Sequence, residues 1–165
     1  MKDMNPSEDY VFLKRGFKSK NRSLLAAMTN KQSHEDGTLS DEEITWLTRR
    51  AKDGFGIVTT AASHVSELGK GWVGEMGVWS DNHIGGLTKL ASSLKQHGSL
   101  NLVQIFHGGM KAPLEINNVI PVCPSKMMVE ATGKLLARGL ETEEIYQLIE
   151  DFSDAAKRCE DAGFD

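Results

Sequence analysis

A chain of 165 residues with 39 % apolar and 25 % charged residues has enough apolar material for a core, which excludes disorder. A folded domain of this length hides roughly 70 % of its unfolded surface. With a net charge of −4, nothing points to the basic face that nucleic-acid binding needs, and no apolar run approaches bilayer length.

The basic stretch Lys14–Arg22 is short and interrupted by apolar residues, so it reads as a solvated hairpin. The N-terminal stretch Met1–Asp9 is polar and lacks the apolar segment of a signal peptide. The two cysteines, Cys123 and Cys159, are far apart and have no metal-ligand spacing. A disulfide framework is not expected, and a reducing cytoplasm fits best. His34, His64, His83 and His97 show no i,i+4 pairing, so no metal site is expected. No nucleophile elbow appears.

Residues 10–20 read as a hairpin turning near Arg15-Gly16, and Ser23–Met28 as the first core strand. A polar loop from Thr29 to Thr38 leads to a helix that Ser40 caps. Glu43 stands where a capping box needs it, and Leu39 and Ile44 stand at staple positions. Ile44, Leu47 and Ala51 share the buried face of that helix, which Gly54 ends.

Gly56–Ala62 reads as the second strand, followed by a glycine-rich loop from Gly69 to Gly77. Ser80 caps a second helix with apolar residues at Ile84, Leu87, Leu90, Ala91 and Leu94, and Gly98 stops it. Asn101–Phe106 is the third strand. The stretch carrying Pro113, Pro121 and Pro124 reads as a loop too long for a plain connector, hence a functional one. The last helix begins at Thr142 and ends at Ala162-Gly163. Its expected buried stripe is Ile145, Leu148, Ile149, Phe152, Ala156 and Cys159. Short apolar runs alternating with amphipathic helices indicate a parallel α/β fold in a single domain, residues 1–165. A fourth strand is expected where the last helix ends.

Gly69-Lys-Gly71-Trp-Val-Gly74 matches G-x-G-x-x-G. That motif cradles a pyrophosphate only when a strand directly precedes it and a helix directly follows. Neither neighbour is adjacent here, and Leu94 stands where ribose recognition needs an acid. A small NAD-binding Rossmann-type domain is therefore the weaker alternative, and a loop at the mouth of strand two carrying Trp72 over a pocket is preferred. Gln104 and His107 lie at the end of strand three, where parallel barrels build their sites. His107 either faces a ligand with Gln104 or only bonds backbone. The small residues Ala26 and Ala27, beside Met28 and Thr29, either let a flat ligand approach closely or pack a barrel floor.

Several segments in series resemble the old yellow enzyme family, in its bacterial NADH-dependent flavin oxidoreductase branch. Asn21-Arg22-Ser-Leu-Leu-Ala26-Ala27-Met28-Thr29 resembles N-R-hydrophobic-x-A-P-M-T. Gly69 through Asp81 resembles the G-x-G-x-x-x-x-P-G-h-W-x-D loop, and Val103 through Gly109 resembles V-Q-L-x-H-x-G. Cys123-Pro124-Ser125 resembles A-P-S, and Ala137 through Ile145 resembles R-x-L-T-x-E-E-I. Glu160–Asp165 resembles the E-A-G-F-D that opens a fourth strand. Ala27 departs from the family's proline, Met110 from a common arginine, and Glu75-Met76 from the proline before Gly77.

The resemblance implies a (β/α)8 TIM barrel, of which this chain holds roughly the first three βα units behind an N-terminal hairpin. It implies FMN at the barrel mouth and NADH or NADPH as hydride donor. Backbone around Ala26, Ala27 and Met28 would meet the flavin edge, and Thr29 would tune it. Ala62 and Gln104 would meet the pyrimidine side. Trp72 and His107 would shape the pocket of a small-molecule substrate such as an activated alkene. No catalytic residue is assigned, because the family's substrate-binding histidines, general-acid tyrosine and phosphate loops correspond to positions beyond residue 165. Low activity of this chain alone is the expectation. A non-catalytic remnant that self-associates over an open barrel edge is the alternative.

Overall fold

The computed structural model describes residues 5–165, so the first four residues of the polar N-terminal stretch lie outside it. Tyr10–Val11 (β1) and Lys18–Ser19 (β2) form the antiparallel hairpin expected from the sequence. Gly16 turns it with φ +70°, a left-handed conformation that glycine adopts without a Cβ penalty.

The central sheet is parallel. Ile57–His64 (β4) is its middle strand, and Leu100–Phe106 (β6) pairs along its whole length, from Ile57↔Leu100 to His64↔Phe106. The opposite edge is shared by two short strands. Leu24–Leu25 (β3) pairs with Ile57 and Val58, and Met76–Gly77 (β5) pairs with Ser63 and His64. The first strand is therefore shorter than the expected Ser23–Met28. Ala26 and Ala27 have weak strand preference, and β4 bulges beside them, so the ladder stops at Leu25. The second strand runs two residues beyond the expected Ala62, to His64, because β5 and β6 both pair with its end.

Asp41–Lys52 (α1) is capped as expected, with Ser40 Oγ accepting the Glu43 N–H at 3.1 Å. The capping box is not formed. The Glu43 side chain is fully buried and turns away, accepting from Asn30 Nδ2 at 2.8 Å and from Ser33 Oγ. A carboxylate so placed ties the loop after β3 to the helix. Ser80 caps a single 3-10 turn, Asp81–His83, which leads into Ile84–Lys95 (α2).

The stretch expected to be one long loop is structured. It contains a short helix, Leu114–Asn117 (α3), and a small sheet in which Lys134–Gly139 (β9) lies between Val122–Cys123 (β7) and Met127–Val129 (β8). Gly133, with φ +64°, makes the β8–β9 turn possible.

Thr142–Asp161 (α4) follows. Its buried residues are Ala155 and Cys159, whereas Ile145, Ile149, Phe152 and Ala156 of the expected stripe are exposed. The reason is geometric: α4 meets α2 and β6 through its C-terminal part, so the earlier turns of the apolar stripe extend past the sheet. Beyond the helix, Asp165 pairs with β6. Its N–H donates to Asn101 O at 3.1 Å, and its Oδ2 accepts from Asn101 N and Nδ2 at 3.0 Å each.

One core holds these parts together. Leu47, Leu87, Leu90 and Leu94 from α1 and α2 are fully buried with Val58 of β4, and Ala155, Cys159 and Phe164 join them. Burying side chains of this size stabilises by about 1.5–3 kcal/mol each. Because α1, α2 and α4 share one cluster, they cover one face of the sheet. The other face, carrying Leu24, Leu100, Leu102 and Gln104, has no layer over it among the described residues, and Leu24 remains 49 % exposed.

Candidate functional site

Chemistry in a parallel sheet collects at the carboxyl ends of the strands, where side chains and loop backbone converge. Here those ends are Leu25 onward, His64 and Phe106. A β-bulge lies between Thr59 and Ala62, opposite a regular β6. Thr60 Oγ1 fixes it, accepting the Gln104 N–H at 3.3 Å and donating to Ala61 O at 2.7 Å. Bulges re-aim the residues after them. The result sets Ala62 directly beside Gln104 on the uncovered face.

The other residues singled out from the sequence lie just past the neighbouring strand β3 and in the loops after β4 and β6. Ala26, Met28 and Thr29 leave β3 as exposed irregular chain, and Ala27 is half-buried. Their path is set further on, where Asn30 bonds Glu43 and the Ser33 N–H bonds Gly74 O at 3.2 Å. Ala62 is buried, while the Gln104 side chain is exposed and available. Trp72 lies with its ring 5.7 Å from that of Phe106, tilted by 41°. Phe106 is two residues from Gln104 on the same strand and shares its face.

His107, just past the end of β6, lines a largely apolar cavity of about 490 Å³ with Ala112, Val122 and Leu148. Its Nδ1 accepts the Gly109 N–H at 3.0 Å, which places the proton of a neutral ring on Nε2. Burial lowers its pKa, favouring that neutral form.

The glycine-rich loop owes its glycines to packing. A Cβ on Gly69 would lie 2.4 Å from His107 Cδ2, and one on Gly71 would lie 3.3 Å from Phe106 Cε1. Gly74, with φ +78°, would clash with Lys31 O at 2.5 Å. The Gly108 N–H donates to Gly69 O at 2.7 Å and fastens the loop to the end of β6. No helix N-terminus follows to meet a pyrophosphate, since the next residues form β5.

Two buried ionisable groups beneath this loop escaped the sequence reading. His64 and Glu75 are 2 % and 1 % exposed, with His64 Nδ1 and Glu75 Oε2 4.0 Å apart. Burial pushes His64 down to about 3, aided by the charge of Lys70. Burial pushes Glu75 up to about 7, against hydrogen bonds from the Gly71 and Trp72 backbone that lower it. At neutral pH His64 is therefore a neutral ring and not half of an ion pair. Phe106 also went unassigned, although its i+2 spacing to Gln104 was a signal that could have found it; a glutamate in a glycine-rich loop carries no sequence sign of burial.

The mouth offers small residues, an exposed amide and open backbone, which suit a flat heteroaromatic group with carbonyl and N–H edges. Among the described residues no group of three or more His, Cys, Asp or Glu is placed to hold a metal, and no helix is long and apolar enough to cross a membrane.

Comparison with known proteins agrees with this geometry. Residues 13–165 match the model of the NADH:flavin oxidoreductase / NADH oxidase family. The chain is 37 % identical to the probable NADH-dependent flavin oxidoreductase YqiG of Bacillus subtilis, over 98 % of this chain and 44 % of that protein. It is 35 % identical to an NADPH dehydrogenase of Bacillus velezensis, over 88 % of this chain and 42 % of that protein. Among solved structures, the old yellow enzyme homologue from Zymomonas mobilis superposes with a TM-score of 0.84 at 26 % identity, over 98 % of this chain and 46 % of that one. A 2-naphthoyl-CoA reductase complex superposes with a TM-score of 0.88 at 29 % identity, over 97 % of this chain and 26 % of that one. The chain thus spans less than half the length of each of these relatives. With its motifs, its parallel sheet and this match in agreement, the chain belongs to the NADH:flavin oxidoreductase / NADH oxidase family and carries part of the TIM-barrel architecture of the old yellow enzymes.

Proposed function

We propose that this chain forms one side of an FMN site in an NAD(P)H-dependent oxidoreductase. The observation that carries the reading is the bulge that sets Ala62 beside Gln104, with Ala26–Thr29 leaving the adjacent strand β3 as irregular chain. When bound, the flavin supplies hydride transfer from reduced nicotinamide to an acceptor such as an activated alkene. The chain's own residues bind and orient. Ala26, Ala27 and Met28 give backbone and little bulk, so a ring can lie close. Thr29 offers a hydroxyl at the ring edge, and the Gln104 amide both donates and accepts beside Ala62. Trp72 and Phe106 wall the side from which a small-molecule substrate approaches. The buried, free Cys123 and Cys159 suit a reducing cytoplasm.

Titration with FMN, followed by visible absorption and flavin fluorescence, tests the reading. Binding that Thr29→Ala and Gln104→Ala each weaken by about 1 kcal/mol, roughly fivefold, is the expected result. Binding indifferent to both substitutions would place the flavin elsewhere. Steady-state NADH oxidation by the chain alone is expected to be slow, because the uncovered sheet face leaves the site open to water.

A second reading is a non-catalytic, self-associating protein. It is supported by the apolar residues without cover: Leu24 on the sheet and Ile145, Tyr146, Ile149 and Phe152 on α4. Exposed apolar area of this kind marks an interaction surface. Light scattering distinguishes the two, since a monomer that binds FMN excludes the second.

A further inference from the structure

We infer that Glu75 is a positioning residue for the substrate side of this site: its buried carboxylate holds the Gly71–Trp72 turn and thereby sets Trp72 against Phe106, beside Gln104. The inference rests on the flavin reading only for what Trp72 and Phe106 face. The mechanical link stands on geometry alone.

Glu75 Oε2 accepts the Gly71 N–H at 2.5 Å. Gly71 is gripped from both sides, since a Cβ there would lie 3.3 Å from Phe106 Cε1 and 3.4 Å from Glu75 Oε2. The carboxylate, the glycine and the Phe106 ring thus form one stack, and Trp72, the next residue, closes on the same ring. Any change in the hold on Gly71 reaches Trp72 through a single peptide unit.

An uncharged residue could anchor a turn at lower cost. Burying a carboxylate is expensive unless it is fully paired, and this one is not. Glu75 Oε1 has no hydrogen-bond partner, nor does His64 Nδ1. The charged and titratable groups around it do not neutralise it. His64, at the end of β4, is neutral. The Lys70 ammonium donates to Glu35 O; its charge favours the ionised form of Glu75 but does not outweigh burial. His107, at the end of β6, has its Nδ1 taken up by the Gly109 N–H. A carboxylate left in this state holds its N–H through a charge-assisted bond while ionised and more weakly once protonated. Since burial raises Glu75 to about 7, the hold changes near neutrality. Above that range the turn is tight and Trp72 is fixed, and below it the turn loosens.

The test is nuclear magnetic resonance of the whole 15N-labelled chain, taken from about pH 8.5 to about pH 5.5, a window that brackets the group. The Gly71 amide proton is expected to move upfield on acidification with a midpoint near 7, and the Trp72 indole resonance to follow with the same midpoint. In Glu75→Gln both profiles should be flat. His64→Gln keeps Glu75 in place and should keep the titration, so it decides the matter if Glu75→Gln fails to fold. A flat Gly71 profile in the native chain would overturn the inference, as would a titration unchanged by Glu75→Gln or lost in His64→Gln. Titration of Gly71 without Trp72 would reduce Glu75 to a loop anchor and overturn it too. The same samples are then titrated with FMN. Absence of flavin binding sinks the flavin reading and leaves the coupling of Glu75 to Trp72 standing.

Discussion

Replacing Gly69 with alanine strikes the loop where the packing account is most exposed. The new Cβ would lie 2.4 Å from His107 Cδ2 and 2.9 Å from Nε2. Neither partner is free to retreat. Gly69 O is bonded to the Gly108 N–H at 2.7 Å, and the His107 ring accepts from Gly109 N at 3.0 Å. Overpacking against a fixed neighbour costs about 1–3 kcal/mol. Gly85 is the control. It sits exposed within α2, and no atom lies within 4 Å of a Cβ built there. Gly85→Ala should therefore stabilise by about 0.8–1 kcal/mol, the difference in helix propensity. Urea unfolding midpoints at constant slope report both changes. His107→Ala removes the obstructing ring, so Gly69→Ala should cost less in that background, with a coupling of about 1 kcal/mol. An additive cycle would refute the account, as would a neutral Gly69→Ala.

Ser40→Ala removes the α1 cap and should cost about 1 kcal/mol by urea unfolding. Asp165→Ala removes the shared acceptor of Asn101 N and Nδ2, and should cost about 1.5–3 kcal/mol, with faster amide exchange at Asn101. The pH dependence of stability should carry two opposing contributions. His64, lowered to about 3, is neutral when folded, so its contribution is present above its unfolded value of 6.5 and is lost progressively as pH falls below it. Glu75, raised to about 7 from 4.5, binds its proton more tightly when folded, so its contribution is lost as pH rises through that interval. His64→Gln should flatten the acid side of the stability profile and Glu75→Gln the neutral side, read by denaturant unfolding across pH. Coincident profiles for both variants would refute these assignments.

Most of the sheet was legible from the sequence because its strands carry their own signals. The apolar run from Ile57 and the run ending at Phe106 are bounded by turn glycines, and α1 and α2 have apolar faces at helical spacing. What escaped depends on partners distant in the chain. Whether Ala26–Met28 continues a strand is decided by a bulge in β4, more than thirty residues away. Glu43 has the spacing of a capping box, yet Asn30 and Ser33 offer it buried partners, and a side chain cannot serve both. The β8–β9 hairpin was read as loop, because Met127–Val129 is three residues long and its strand character appears only when β9 lies beside it.

The same contrast explains the glycine-rich loop. In the sequence, G-x-G-x-x-G has one familiar cause, phosphate approach to backbone. In the fold, each glycine meets a different neighbour: His107, Phe106 and Lys31. Those neighbours lie on β6 and on the chain after β3, so the motif joins all three strand ends at one point. A loop built this way ties the ends of those strands to one another. It also explains why a buried glutamate is tolerated there. Glu75 lies beneath Gly71, where an apolar side chain would leave the half-buried Gly71 N–H without its acceptor.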